Sequence, residues 1–381
     1  MTGPGLYLHV PFCSAICPYC DFAVTTGGAD KRQAFAKALI REIELRADGA
    51  PGFGRFDTIY FGGGTPSALE SEWLADIISA ARTSLPVERD AWISLEVNPE
   101  DVNERSVRAW RALGVRTVSL GVQSFDDDEL KFLGRRHRRA EAEQAIAVAK
   151  DAGFDIVSVD LIFGLPTQGQ SGWEESLRHA VRLGVDHVSC YQLTIHEGTP
   201  FAKRKETGRI VELGDTEQAD LFEATRAVLE AEGFLGYGVS NFARTPNHRS
   251  RHNDKYWRHV PYLGVGPSAH SFDGRSRFWN ERDTKAWQAS LLEGRLAVAG
   301  EEALSDEELA LEAIMLRLRT LEGLDLEWMR QRFGVDLLAE NEALIGRYVE
   351  EGMARLNGRS LVLTPRGLSI TDSVAASLKL G

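Results

Sequence analysis

Three cysteines within eight residues, Cys13, Cys17 and Cys20, form the densest group of reactive side chains in this 381-residue chain. They follow directly on the apolar run Leu6–Val10. Spacings of three and two residues let one short folded loop wrap a single inorganic cluster. Three thiolates on a four-iron cubane leave one iron without a protein ligand, and an open iron is where a small molecule can react. Structural zinc usually takes a fourth Cys or His and favours CxxC pairs. Here His9 is the only candidate fourth ligand close by, so a [4Fe–4S] site suits the pattern better than zinc or a redox disulfide. The remaining cysteine, Cys190, lies in Val188-Ser189-Cys190-Tyr191-Gln192 and reads as a small buried hydrophobe.

Later apolar runs carry polar residues that a buried strand does not tolerate without partners. Glu96 interrupts Ile93–Asn98, Gln123 closes Thr117–Gln123, and Asp160 interrupts Ile156–Gly164. In a sheet covered on both faces such residues are functional candidates rather than surface groups. Gly62-Gly63-Gly64-Thr65 ends another run, and its glycines let backbone polar groups come close to a ligand. Arg135 opens the basic run Arg135-Arg136-His137-Arg138-Arg139, most of which reads as a solvated face.

Farther on, His252-Asn253-Asp254-Lys255-Tyr256-Trp257 combines an imidazole with two flat aromatic side chains. Taken singly, His252 reads as readily as a loop hydrogen-bonding group, with Tyr256 and Trp257 in the core. Together they can offer heme an axial nitrogen and apolar surface for the macrocycle. Arg244, Arg249, Arg251, Lys255 and Arg258 stand nearby against the single acid Asp254, a local inversion of sign in a chain of formal net charge −12. One or two of these arginines are expected to pair with heme propionates. His248, His259 and His270 are alternative iron ligands.

An alternating pattern must position these groups. Apolar runs at Leu6–Val10, Thr58–Gly62, Ile93–Asn98, Thr117–Gln123, Ile156–Gly164 and His187–Leu193 read as strands. Helical spacing occupies Arg32–Arg46, Leu69–Arg82, Glu104–Leu113, Glu141–Ala152 and Glu174–Leu183, with Gly114, Gly153 and Gly184 as C-terminal caps. The alternation predicts an α/β fold with a parallel sheet. Six units fall short of eight, so the expected form is an open, partial (β/α)6 TIM-like barrel.

Asp215–Gly233 reads as one more helix, and Phe234–Trp279, with little periodicity, as a binding segment. Helices at Asp306–Arg319, Leu326–Phe333 and Glu340–Glu351, then a strand and turn over Leu361–Gly367, predict a small C-terminal helical, winged-helix-like domain. The expected division is 1–235, 236–300 and 301–381. A composition of 43% hydrophobic and 26% charged residues is globular. The negative charge argues against a nucleic-acid partner. No apolar run reaches the roughly 18 residues of a bilayer span, and no signal peptide is apparent. Cysteine usage fits a reducing cytoplasm.

The run from Leu6 to Cys20 resembles the radical S-adenosylmethionine (SAM) superfamily. More narrowly, it resembles the branch holding oxygen-independent coproporphyrinogen III dehydrogenase and the HemW-type heme chaperones. The resemblance implies a cluster on Cys13, Cys17 and Cys20 whose open iron is chelated by the methionyl group of SAM. It also implies SAM contacts from Tyr7, Tyr19, Gly63, Gly64, Thr65, Glu96 (to ribose), Gln123, Arg135 and Asp160. Phe22 stands where the dehydrogenase has a further cysteine, and only twelve residues precede Cys13. Both weigh against coproporphyrinogen decarboxylation. His252-Asn-x-x-Tyr256-Trp257 matches the heme chaperones' HNxxYW motif. The expectation is therefore a cytoplasmic heme chaperone with His252, Tyr256 and Trp257 at heme, with no catalytic residue assigned. It would pass heme to acceptor hemoproteins, respiratory ones in particular, take electrons from a donor, and touch membranes only transiently. The competing expectation is a radical SAM enzyme acting on a porphyrin.

Overall fold

The computed structural model describes residues 3–380. Strands β1 (Gly5–Val10), β2 (Phe56–Gly63), β3 (Val87–Val97), β4 (Val115–Gln123), β5 (Ile156–Phe163) and β6 (His187–Gln192) lie side by side in that order, all parallel. Helices Ala29–Leu45, Ser71–Ser84, Glu104–Ala112, Arg139–Asp151 and Gln170–Arg182 connect them. Gly114, Gly153 and Gly184 end three of these helices at φ of 86°, 72° and 74°, the left-handed turn that the caps require.

Alternate strand residues divide the sheet. Leu6, Leu8, Val10, Ile59, Phe61, Ile93, Leu95, Val118, Leu120, Val157 and Val159 are buried in the principal core. The other set is polar and lines the barrel interior: Tyr60, Ser94, Glu96, Ser119, Ser158, Asp160, His187 and Ser189 share one small internal void. Register places Tyr7, Tyr60 and Ser94 side by side, and Glu96 beside Ser119 and Ser158.

The expected loosely patterned segment 234–279 contributes several short strands around a short helix, Asn253–Trp257. Strands β7 (Leu235–Gly236), β8 (Asn241–Ala243), β9 (Tyr262–Val265), β10 (His270–Phe272), β11 (Ser276–Asn280) and β12 (Val298–Ala303) extend the barrel sheet to twelve strands. β9 joins β1 in parallel, and β8 joins β6 antiparallel. Strands of two to five residues over 235–280 are too short to show period-two alternation.

A buried carboxylate ties this extension to the barrel. Glu42 is fully buried. Its Oε1 accepts from Arg46 Nε at 2.8 Å and Asn280 Nδ2 at 2.7 Å. Its Oε2 accepts from the Gly266 amide and from Trp287 Nε1, both at 2.8 Å. Gly266 is thereby held against β1: a Cβ there would lie 2.5 Å from the His9 carbonyl oxygen.

The C-terminal part has its own core, drawn from residues between Ala310 and Leu378. Helices Asp306–Arg317, Leu326–Phe333 and Glu342–Glu350 pack with a three-stranded sheet of Leu324–Asp325, Ala354–Asn357 and Ser360–Leu363. Arg277 grips Glu312 with both guanidinium nitrogens at 2.8 Å, and His259 Nε2 lies 3.0 Å from the same carboxylate. That cluster fastens the first C-terminal helix to the extension.

Breaking a buried charge network leaves the surviving charge unpaired, at a cost of about 3–5 kcal/mol. Glu42→Ala should lose stability of this order in denaturant unfolding of the apoprotein. A loss under about 1 kcal/mol, the range of an exposed ion pair, would contradict the role given to this network.

Candidate cofactor cavity and adjoining cleft

β1 delivers the chain to Pro11 and Phe12, and the cysteine loop returns beside them. The Cys13 amide donates to the Thr25 carbonyl at 2.9 Å, and the Thr25 amide to the Pro11 carbonyl at 2.7 Å. Outer anchors are the Phe201 amide on the Pro18 carbonyl at 3.0 Å and Arg282 Nη2 on the Asp21 carbonyl at 2.7 Å. Cys13, Cys17 and Cys20 all line one cavity of about 410 Å³ at the C-terminal ends of the barrel strands. Tyr19, Gly63, Gly64, Thr65, Glu96, Gln123, Arg135 and Asp160 line it too. Six separate strands and loops thus bring nearly all the expected contacts to one place.

Two residues do not join them. Tyr7 lies outside this wall, its hydroxyl 3.1 Å from His9 Nδ1 and its ring stacked on Tyr60. His9 Nε2 is 3.0 Å from the Ala23 carbonyl. Both imidazole nitrogens are engaged, so His9 is no fourth ligand.

The donor set fits an iron–sulfur cluster. All three cysteines are free thiols. Thr65 Oγ1 stands 3.6 Å from Cys13 Sγ, and Arg135 Nη1 3.6 Å from Cys17 Sγ. Burial pushes the Cys13 thiol up to about 11 and raises Cys20 as well. Three thiolates so placed are stable only around a cationic group. Among the described residues no three His, Cys, Asp or Glu side chains converge on a single metal ion.

Arg135 fits a carboxylate-bearing ligand. Its Nη2 donates to Asn98 Oδ1 at 2.7 Å and to the Gly121 carbonyl at 2.8 Å, while its buried Nε has no partner. An orphaned guanidinium donor on a cavity wall invites an anionic oxygen. Gln123 sits at φ 67° where the β4–β5 register breaks. A left-handed non-glycine residue at a strand end is strain of the kind found at ligand sites.

The two interior carboxyls are held unlike ordinary acids. Glu96 Oε1 accepts from Tyr60 Oη at 2.7 Å and Oε2 from the Gly63 amide at 3.1 Å. Burial nevertheless pushes Glu96 up to about 7 and Asp160 up to about 6. A carboxyl raised in the folded state favours folding while protonated, so stability falls as pH rises from the unfolded value toward the folded one. The shift from 4.5 to about 7 corresponds to on the order of 3 kcal/mol. Glu96→Gln should therefore stabilise the apoprotein at pH 7.5, the gain shrinking toward pH 5 in unfolding curves. An equal effect at both pH values would contradict this electrostatic account.

A second, larger space adjoins the first. A cleft of about 1130 Å³ opens between the barrel and the C-terminal part, and Tyr191 and Gln192 line both spaces. Its apolar surface comes from Phe163, Tyr191, Phe222, Tyr256, Trp257, Leu368 and Ile370. Two expected heme residues, Tyr256 and Trp257, are on this wall. The third is not.

His252 is 1% exposed, with Nδ1 2.9 Å from Thr58 Oγ1 and Nε2 2.9 Å from Tyr256 Oη. Its ring stacks on Tyr60 at 5.1 Å between centroids, and burial drives it down to about 3. Both nitrogens of this neutral imidazole are bonded inside the barrel, so His252 faces the barrel interior rather than the cleft. Neither do the alternatives reach the cleft wall. His248 lines the interior void, His259 is held by Glu312, and His270 stacks on Trp279.

The expected propionate partners also lie elsewhere. Arg244 covers Phe234 and donates to the Val185 carbonyl at 3.3 Å; Arg249 pairs with Glu322 at 2.6 Å. Arg251 covers Trp92, Lys255 pairs with Asp57 at 2.5 Å, and Arg258 with Asp254 at 2.6 Å. None of these five lines the cleft. The contribution of Arg319 and residues 368–373 to that wall went unread in the sequence, because no spacing marks residues that meet only across a domain boundary.

Comparison with known proteins agrees with this geometry. Residues 7–210 match the radical SAM superfamily and residues 304–370 the HemN C-terminal domain. A Mycobacterium tuberculosis protein described as heme chaperone HemW is 37% identical over 380 residues, covering 98% of this chain and 94% of that protein. The heme chaperone HemW of Synechocystis is 36% identical over 83% of this chain and 78% of its own. Coproporphyrinogen III oxidase (HemN) from Escherichia coli shares the fold, with TM-score 0.83 at 23% identity over 98% of this chain and 89% of that one. The chain belongs to the HemW family of the radical SAM superfamily.

Proposed function

We propose that this protein binds heme in the cleft between barrel and C-terminal part and hands it to an acceptor hemoprotein. Cys13, Cys17 and Cys20 would hold a [4Fe–4S] cluster, with SAM beside it. The observation that carries the reading is the aromatic-walled cleft that shares Tyr191 and Gln192 with the cysteine cavity. Small-molecule pockets of about 300–1,000 Å³ suit drug-sized ligands, and a flat tetrapyrrole suits walls of Trp257, Tyr256 and Phe222. The relatives' printed description as heme chaperones supports the same cargo.

When bound, the cluster with SAM can supply one-electron reduction and an organic radical. The chain's own residues do the positioning. Arg135 would offer its free Nε to the methionyl carboxylate, and Gly63, Gly64 and Thr65 would meet the methionyl amino group. Glu96 would meet the ribose, with Gln123, Asp160 and Tyr19 completing the wall. Tyr7 acts one layer deeper, through Tyr60 and His9. The division into 1–235, 236–300 and 301–381 follows the same logic: barrel, extension, and the part that closes the cleft. Among the described residues no helix is long and apolar enough to cross a membrane. The proposal places the protein in the cytoplasm, with transient contact at a membrane-bound respiratory acceptor.

The cysteine-side cavity is complete enough to sustain the competing reading, a radical SAM enzyme acting on a porphyrin. One comparison separates them. Hemin-loaded protein should restore activity to an apo-hemoprotein, whereas reconstituted protein with SAM and reductant should not decarboxylate coproporphyrinogen III. Robust decarboxylation without transfer would reverse the assignment. In the same preparation His252→Ala should keep the parent's hemin absorption bands while unfolding more easily. Loss of the bands in a folded variant would restore His252 as a ligand.

A further inference from the structure

Charge on the cleft wall is lopsided. Among the described residues lining it, Asp215, Asp220 and Asp372 are acidic, and Arg319 is the only Lys, Arg or His. A ligand with two carboxylates would be repelled by such a wall without that one cation. Arg319 lies two residues beyond the helix Asp306–Arg317, on the C-terminal side of the cleft, and forms an ion pair with Asp372. The Arg319 side chain is 31% exposed and that of Asp372 79%.

We propose that Arg319 is the carboxylate anchor of the cleft, pairing with a propionate of bound heme in place of Asp372. The inference rests on reading the cleft as the heme site. Barrel residues then supply flat apolar contact, and the C-terminal domain supplies charge recognition.

The exchange is favourable on simple grounds. An ion pair with a mostly solvated partner contributes about 0–1 kcal/mol, and Asp372 needs only to turn outward into water to release Arg319. A propionate held on a macrocycle buried among Trp257, Tyr256 and Phe222 is already ordered and partly desolvated. A guanidinium takes such a carboxylate through two parallel hydrogen bonds. Asp215 and Asp220, both on the barrel-side helix Asp215–Ala231, disfavour a carboxylate at their own wall. That asymmetry orients the dicarboxylate edge of the macrocycle toward the C-terminal domain.

The test compares hemin with its dimethyl ester, which keeps the macrocycle and iron but removes both charges. Absorption titrations would use the full-length parent, Arg319→Leu and Asp372→Asn. The parent should bind hemin on the order of tenfold tighter than the diester, the ratio that about 1.4 kcal/mol gives. Arg319→Leu should lose this preference while binding the diester as the parent does, which also shows that it is folded. Asp372→Asn should tighten hemin binding by freeing the arginine. An Arg319→Leu protein that still prefers hemin would overturn the anchor while leaving the heme cleft standing. If the parent bound neither porphyrin, the heme reading itself would fall.

Discussion

The barrel sheet does not close on itself. It ends at β12 on one side and β7 on the other, yet the six parallel strands present a polar inner face that no apolar core can cover. That interior needs hydrogen-bonding partners from outside the barrel, and the HNxxYW segment supplies them. His252 inserts between Thr58 and Tyr256, under the ring of Tyr60. Lys255, in the short helix Asn253–Trp257, pairs with Asp57 and donates to the Gly3 carbonyl just before β1. The motif is thus first a plug for an open barrel, and its outer aromatic faces are left for the cleft.

Both spaces follow from that arrangement. At the strands' C-terminal ends the polar interior continues upward into Glu96, Asp160 and Arg135, so the cavity there is polar on the barrel side and sulfur-lined on the other. Burying two carboxyls at raised values is unfavourable in the empty protein. A ligand that hydrogen-bonds to them recovers that free energy on binding, which is why such residues gather where a small molecule is held. The C-terminal domain covers the open flank without filling it, and Glu312 fixes its approach through Arg277 and His259. The cleft is what remains between them.

Strand and helix positions in the first 193 residues were legible because long β-branched runs and glycine caps alternate at a regular interval. Gly63 to Thr65, Glu96, Gln123 and Asp160 were legible because each interrupts an apolar strand or ends one, whereas Arg135 and Tyr19 entered only through the family resemblance. Tyr7 has the right type in the right strand, but register places it a layer below the cavity, beside Tyr60. The strands between 235 and 280 were hidden by their shortness. The direction His252 faces was not legible, for a physical reason. An imidazole between aromatic residues looks the same in sequence whether it faces a ligand or a buried threonine. Arg319 stands two residues past Arg317, just beyond the end of a helix, and only the packing of two domains gives it a cleft to face.

The most direct measurement is a crystal structure of the full chain loaded with hemin. The account predicts the macrocycle in the cleft, one face on Trp257, its carboxylate edge toward Arg319, and His252 still between Thr58 and Tyr256. Heme density outside the cleft, or His252 withdrawn from the barrel and bound to iron, would contradict it.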